Sequence, residues 1–429
     1  MTASIDSTVA GQPASSDYWS AAGTPSSRPR QVTVIGGGIV GLASAAALSR
    51  AGHQVTVLDM ADGPGQGASG GNGCQLSYGY VAPLAQPGLP FEVPALMLSR
   101  DGPLRIAVRA DVRQWRWMWD FIRACNASTA QRSTLALLAI AALSRQETEQ
   151  WLAAVAPQTL SFSRCGKLVL YASQAALDAA RRQLEFQSPH GPPQFVVTGD
   201  GFLSHEPALT AFRGAVAGAI YTPDECAVDS LALCQHLERV LRSRSVMFEY
   251  GVRVRGLRRR GERLSQLLTD AGERSIDALV LANGTGSAAL AASVGLRVPV
   301  YPLKGYSITV PVLDAAAVPT VSVTDAKRKL VYARIGNRLR VAGMVEIGAG
   351  DSGIDPRRIA QLKSCTHQAF GDAVDCDAAV PWAGLRPATP SSLPIVGRSA
   401  IDNLFFNVGH GALGLTLAFG TARRLADAV

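Results

Sequence analysis

The 429-residue chain has little of what would mark a membrane-spanning, disulfide-built or metal-built protein. Its longest apolar run, Leu135 to Leu143, is far shorter than the roughly 20 residues a bilayer-crossing helix needs. Seven cysteines occur, an odd number, and none forms a Cys-x-x-Cys pair. That argues against a disulfide framework or a zinc centre and fits a reducing compartment. Residues 1–30 are rich in Ser, Ala, Thr, Gly and Pro, hold no apolar run that could core a signal peptide, and are expected to form a disordered extension. No internal repeat is visible. The formal net charge of +8 is modest for this length, and no nucleic-acid-binding motif accompanies it, so nucleic acid is not expected as a partner. An anionic membrane surface or an acidic partner fits that charge at least as well. What is present is 47% hydrophobic content, enough for a large core and more than one domain.

The most informative stretch is Val32 to Asp59. An apolar, β-branched run, Val32-Thr-Val-Ile35, leads into Gly36-Gly-Gly38-Ile39-Val40-Gly41, which fits G-x-G-x-x-G. An Ala/Leu-rich helix over Leu42 to Ala51 follows, Gly52 stops it, and a short strand from Gln54 to Leu58 ends on Asp59. This βαβ context makes the glycine pattern a dinucleotide-binding signature. Gly36 allows the tight turn, Gly38 lets the backbone approach a pyrophosphate, and Gly41 lets helix and strand pack closely. Ile39 and Val40 in the turn and the helix N-terminus behind them offer free N–H groups and a positive dipole to phosphates, and Asp59 can accept from a ribose.

A glycine-dense loop, Gly63 to Gly73, comes next; it can wrap a cofactor, and a surface linker would look the same. Residues 103–125 set tryptophans among arginines. One helical face carries Trp115, Met118, Trp119 and Ile122, and another carries Trp117 and Phe121. Either a core helix with snorkelling arginines or a membrane-surface or partner contact fits, the contact being expected at Trp117 and Phe121. Strands are predicted at Gly166–Ala172, Ala215–Tyr221 and Ala278–Ala282, and a helix capped by Asp229 or Ser230. Ala282-Asn283-Gly284 opens a second close-approach loop. Strands dominate from Tyr301 to Gly348. The C-terminus carries another strand and glycine turn, Leu404 to Gly414, before a final helix that would aim its positive end at an electron-rich group.

Together these stretches resemble the FAD-dependent D-amino acid oxidase superfamily. The resemblance rests on Val34 to Asp59, Ser69-Gly-Gly-Asn-Gly-Cys-Gln-Leu-Ser77, Val300 to Ser307, Asn337 to Ile347, Trp382-Ala-Gly-Leu-Arg-Pro387, Pro394-Ile-Val-Gly397 and Asn403 to Thr416. Cys74 replaces a usual glycine, and residues 1–30 are extra. The resemblance implies an α/β fold: a Rossmann-like FAD-binding domain of glutathione-reductase type built from 31–95, 222–300 and 385–429. An α+β substrate domain with a mainly antiparallel sheet would come from 96–221 and 301–384.

It also implies non-covalent FAD, since no cysteine lies between Arg386 and Gly397. Flavin contacts would come from Ser69, Gly70, Asn72, Gly73, Gln75 and Leu76, from the backbone of Val254 and from Ala282, Asn283 and Gly284. Gly409, Gly411, Ala412, Leu413, Gly414 and Thr416 would complete them. Arg386 would bind a substrate carboxylate, as its guanidinium fork suits. Lys304 and Tyr306 would stand at the pocket rim, Tyr80 in a lid, and His410 near the isoalloxazine. The implied activity is oxidative deamination of small D-amino acids by hydride transfer from Cα to flavin N5, with a quinone-linked respiratory acceptor. Oxidation of D-proline, D-hydroxyproline, glycine or sarcosine, or a role as flavin-bearing subunit of an electron-transfer assembly, stays open. The expected location is the cytoplasm or the inner face of its membrane.

Overall fold

The computed structural model describes residues 18–19, 29–91, 93, 102–154 and 157–429. Two sheets organise it. The first has six strands in the order Ile395–Arg398, Leu404–Val408, Ala278–Leu281, Gln31–Ile35, Gln54–Leu58, Met247–Glu249. All neighbours are parallel except the Ile395–Arg398 edge. Its central strands are covered on both faces, which is why they read as mostly apolar runs interrupted only by Thr33, Thr56 and Asn407 beyond their first residues. Val34, Val280, Leu279 and Leu281 are fully buried.

One face is covered by the Ile39–Arg50, Ser230–Ser243 and Gly414–Ala426 helices, the other by the Val254–Arg260/Arg263–Thr269 hairpin and the Ser287–Ala292 helix. The basic Arg258 to Arg260 stretch is the exposed end of that hairpin, as its charge suggests. Asp229 caps the Ser230–Ser243 helix, its Oδ1 accepting from the N–H of Leu231 (3.1 Å) and Ala232 (3.2 Å).

The Ala127–Ala153 helix departs from the expected division of the chain. Although it lies within 96–221, Leu137, Leu138, Ala141 and Trp151 pack with the nucleotide-side helices. A Cβ on Gly420 would sit 2.6 Å from the Ile140 carbonyl, so only glycine permits that crossing. A buried Arg50–Glu147 pair, 2.7 Å, ties the helices together. Tyr18 is a second departure. It lies in the stretch expected to be disordered, yet it is buried with the Arg50 guanidinium 4.2 Å from its ring. The other residues of 1–28, apart from Trp19, are outside the described residues.

The second sheet runs Val380–Ala388, Tyr301–Pro311, Arg338–Ile347, Leu330–Ile335, Ser322–Asp325, Lys167–Tyr171, Gly218–Thr222, Phe195–Thr198. It is antiparallel except where Lys167–Tyr171 meets Ser322–Asp325 and where Leu104–Ile106 joins Arg338–Ile347. Side chains alternate across it. Tyr306, Ile308, Val310, Tyr332 and Val341 form one core under the Pro356–Phe370 helix. The opposite face, carrying Ser307, Arg340, Trp382 and Arg386, turns toward the first sheet and its glycine loops.

Candidate active site

The glycine turn after Ile35 is a cradle that side chains would fill. Gly36 has φ +118°, and a Cβ there would lie 2.5 Å from the Ala282 carbonyl. A Cβ on Gly41 would overlap the Gly36 carbonyl, and one on Gly38 would come 3.1 Å from Ser69 Oγ. The residue at the start of the Ile39–Arg50 helix, Gly38, has no side chain to cap it. The Ile39 N–H donates to Ser69 Oγ (3.0 Å), and Val40 lies in the same open first turn. Asp59 accepts from the N–H of Gly37 (2.5 Å) and of Ala61 (2.8 Å), which fixes its carboxylate beside the turn. The Val252 N–H donates to the Asp59 carbonyl (3.0 Å), bringing the backbone leading to Val254 to the same end. A helix N-terminus with free N–H groups beyond Ile39, space only glycine leaves free and an anchored acid are the features a dinucleotide requires.

From this cradle the chain crosses the second sheet. Trp382 fills the space a Cβ on Gly71 would need, and Ser307 Oγ donates to the Gly71 carbonyl (2.8 Å). Arg340 Nη1 donates to the carbonyls of Gly70 (3.3 Å) and Asn72 (3.0 Å). Gly73 passes over Val331. Cys74 takes φ +57°, the left-handed conformation glycine adopts readily, and Asn72 Oδ1 accepts its N–H (2.7 Å). The Gln75 side chain turns into the sheet, donating to the carbonyls of Val323 (3.2 Å) and Tyr332 (3.1 Å) and accepting from Lys167 Nζ (2.9 Å). Its side chain therefore serves the sheet. Leu76 is buried in the first core, and the Ser77 N–H donates to Thr416 Oγ1 (3.1 Å).

Arg386 stands on the inner face of the edge strand, directly over Gly305, where any Cβ would overlap its guanidinium. It lies deep in the molecule yet stays partly accessible. Nη1 donates to the Met344 carbonyl (3.0 Å), and no carboxylate among the described residues pairs with it. Burial pushes its guanidinium down to about 10. Two residues on, Ala388 bridges to His410, and the adjacent Pro387 lies against the Gly284 turn after Asn283. The two glycine turns and Arg386 thus converge. Gly409 (φ +86°) and Gly411 (φ +56°) shape the second turn, and no side chain caps the helix that begins at Gly414 after Ala412 and Leu413. His410 is buried and shares Nε2 with Thr421 Oγ1 (3.0 Å); burial drives its imidazole down to about 3, so it stays neutral.

Two expected rim residues are elsewhere. Tyr306 points to the opposite face, where its hydroxyl donates to Glu346 Oε2 (3.0 Å) within a buried Glu346–Arg358 pair. Lys304 shares that face, with Nζ 3.6 Å from Asp351 Oδ1. The cause is strand alternation: residues 303, 305 and 307 face Arg386, and the even ones face away. Tyr80 is 38% exposed, with Lys167 Nζ 4.5 Å from its ring centroid.

Lys167 and Arg340 are the functional candidates that sequence reasoning missed. Lys167 is buried, donates to Gln75 and to Ser77 Oγ (2.7 Å), and is pushed down to about 8 by burial, with Glu225 opposing the shift. Glu225 in turn accepts from the N–H of Tyr78 and Gly79, each 2.7 Å, so it anchors the segment leading to Tyr80. The only sequence signal was a cation next to apolar strand residues, Leu168 to Leu170 in one case and Val341 to Ala342 in the other.

The chain is similar to known proteins along almost its whole length. "D-amino acid dehydrogenase 2" of Ralstonia nicotianae is 45% identical over 408 residues, covering 93% of this chain and 96% of that protein. The protein of the same name from Pseudomonas aeruginosa is 42% identical over 401 residues, covering 93% and 95%. Among solved structures, glycine oxidase from Geobacillus kaustophilus superposes with a TM-score of 0.72 at 22% identity, covering 93% of this chain and 94% of its own, a likeness of fold. The DAO family model, described as FAD dependent oxidoreductase, matches residues 31–428, and the chain belongs to that family.

Proposed function

We propose that the protein is a dehydrogenase of D-amino acids that binds FAD without a covalent bond. The observation that carries this is Arg386: a deep, partly accessible guanidinium held from one side by the Met344 carbonyl and without a carboxylate among the described residues. Leaving such a charge uncompensated is costly, and an α-amino acid carboxylate meets it in bidentate fashion. The names of the relatives, D-amino acid dehydrogenases at 45% and 42% identity, support the substrate class.

Bound FAD supplies a two-electron hydride acceptor. The chain's own residues do the rest. Arg386 fixes the carboxylate and hence the direction of the Cα–H bond. Gly305 leaves the space in which the guanidinium lies flat. The uncapped Gly414–Ala426 helix aims its positive end at the turn beside Ala388, where it favours negative charge. His410, neutral by burial, holds that turn and neither gives nor takes a proton near neutral pH. The substrate must present its amine unprotonated; the imino acid formed leaves and hydrolyses to the 2-oxo acid and ammonia. As a dehydrogenase, the protein would pass its electrons to a quinone-linked respiratory acceptor.

The test is anaerobic bleaching of the flavin band at about 450 nm with D-alanine, D-proline, D-hydroxyproline, glycine, sarcosine and L-alanine in parallel. Bleaching by the D-amino acids alone supports the assignment; bleaching confined to glycine and sarcosine, or by L-alanine, sinks it. Acid precipitation should leave a colourless pellet and a yellow supernatant.

A further inference from the structure

The Val112–Ala124 helix has two unlike faces. Of the two readings offered for it, the core helix holds at Trp117 and Phe121, which are buried anchors and not a contact surface. Their rings stack at 5.1 Å, and Trp117 Nε1 donates to the Ala388 carbonyl (2.9 Å). The outward stripe is Val112, Trp115, Trp119 and Ile122, exposed by 66%, 51%, 62% and 51%. Their 3-4-3 spacing makes one continuous apolar ridge on a single convex helix. Trp115 is fixed in place, its indole N–H donating to the Arg109 carbonyl (3.0 Å).

Charge beside the ridge is one-sided. At 100° per residue Arg116 and Arg123 fall within about 20–60° of Val112 and Trp119. Between residues 105 and 123 five arginines face two aspartates. Asp111 is paired with Arg113 (3.3 Å) and Asp120 with Arg297, while Arg116 and Arg123 are exposed and make no ion pair among the described residues.

We propose that this ridge docks the protein on an anionic phospholipid surface, Trp115 and Trp119 seating at the level of the headgroups and Arg116 and Arg123 contacting lipid phosphates. A tryptophan ridge with a basic flank matches the interfacial layer, where an indole keeps one edge apolar and the other wet. A second copy of the chain fits less well, because a two-fold contact through the ridge would bring Arg116 and Arg123 against their own equivalents. No described helix is long and apolar enough to cross the bilayer, so the contact is peripheral. The anchoring of Trp117 to Ala388 places the docking helix on the strand that carries Arg386. The proposal rests on the exposed ridge and its charge alone, so it stands or falls apart from the substrate assignment.

The test is co-sedimentation of the FAD-loaded full chain with vesicles of phosphatidylcholine alone and of phosphatidylcholine with phosphatidylglycerol. Wild type is expected to partition at least about tenfold more strongly onto the mixed vesicles. Trp115→Ser with Trp119→Ser should reduce that partition about tenfold or more at any salt. Arg116→Gln with Arg123→Gln should reduce it about 25-fold at low ionic strength, about fivefold per charge, and hardly at all in high salt. All four side chains are exposed and none is part of the site, so flavin content and dye-linked turnover should match wild type. Equal sedimentation of wild type and the tryptophan variant would overturn the proposal, as would no preference for the anionic vesicles. A wild-type dimer that the tryptophan variant splits into monomers, without vesicle binding by either, would assign the ridge to a second copy.

Discussion

Replacing Arg386 by leucine removes a charge, a fork of donors and little volume. The side chain donates one hydrogen bond, to the Met344 carbonyl, and the residue stays partly accessible. A unit charge about 4 Å from a carboxylate at an effective dielectric near 20 is worth roughly 4 kcal/mol. Truncating one partner of such a pair typically costs about 2–5 kcal/mol, which is roughly 30- to 4000-fold in kcat/KM. Arg386→Lys keeps the charge but loses the fork and should fall by about 10- to 100-fold. Gly305→Ala, which leaves the arginine in place but pushes a methyl into its guanidinium, should resemble Arg386→Lys. The assay is anaerobic stopped-flow reduction of the holoenzyme by D-alanine and by D-alaninamide, which lacks the carboxylate charge. Wild type should strongly prefer D-alanine, and Arg386→Leu should treat the two nearly alike. If Arg386→Leu, with full FAD content, reduces within twofold of the wild-type kcat/KM, or loses equal activity toward both substrates, Arg386 is not the carboxylate anchor.

Other outcomes follow from the same geometry. Asp59→Ala strips two backbone N–H groups of their acceptor and the cofactor of its expected ribose partner. Apo-protein titrated with FAD should show affinity weaker by about 1.5–3 kcal/mol, and unchanged affinity would remove Asp59 from the site. Gly41→Ala places a methyl on the Gly36 carbonyl, so holoprotein yield and melting temperature should both drop sharply. Lys167 releases its proton near pH 8 when folded and near 10.5 when unfolded, so between those values the unfolded chain binds more protons and stability rises with pH. Cys226 and Cys234, pushed up to about 12 by burial, act in the opposite direction, which makes the comparison with Lys167→Met the informative one. From pH 8 to 10 the wild type should gain up to about 1.4 kcal/mol per pH unit on the variant in urea unfolding, and parallel pH profiles would contradict the assignment.

The parts of the fold that were legible in the chain are those with a local cause. A glycine turn between a β-branched run and an alanine-rich helix has few other readings, and the parallel strand, helix and acid stand where Val32 to Asp59 placed them. Arg386 came to notice through the resemblance carried by Gly384-Leu-Arg-Pro387, and the structure places it beside the two glycine turns. Tyr306 was not legible, because adjacent strand residues point to opposite faces and a register shift between Lys304 and Tyr306 lies in the pairing with Arg338–Ile347. Nothing in the string of letters says which parity faces the cofactor. The tryptophan helix shows the same limit at a different period. Its two faces were separable by spacing, but which one meets the core depends on Tyr301 and Ala388, more than 170 residues away. Tyr18 was hidden by the low-complexity residues around it, since its partner Arg50 belongs to another element.

The stretch from Gly70 to Ser77 touches the cofactor cradle at one end and six strands of the second sheet along its length, from Trp382 to Lys167. Specificity and cofactor retention are therefore inherited together. A substitution in the second sheet at Val331, Arg340 or Lys167 changes the footing of the Gly70–Ser77 loop, so variants altered there should shed FAD more readily until a second change in Gly70–Ser77 restores the fit. Adaptation of this enzyme would then proceed by paired steps across the two sheets, with the loop as the element through which each step constrains the next.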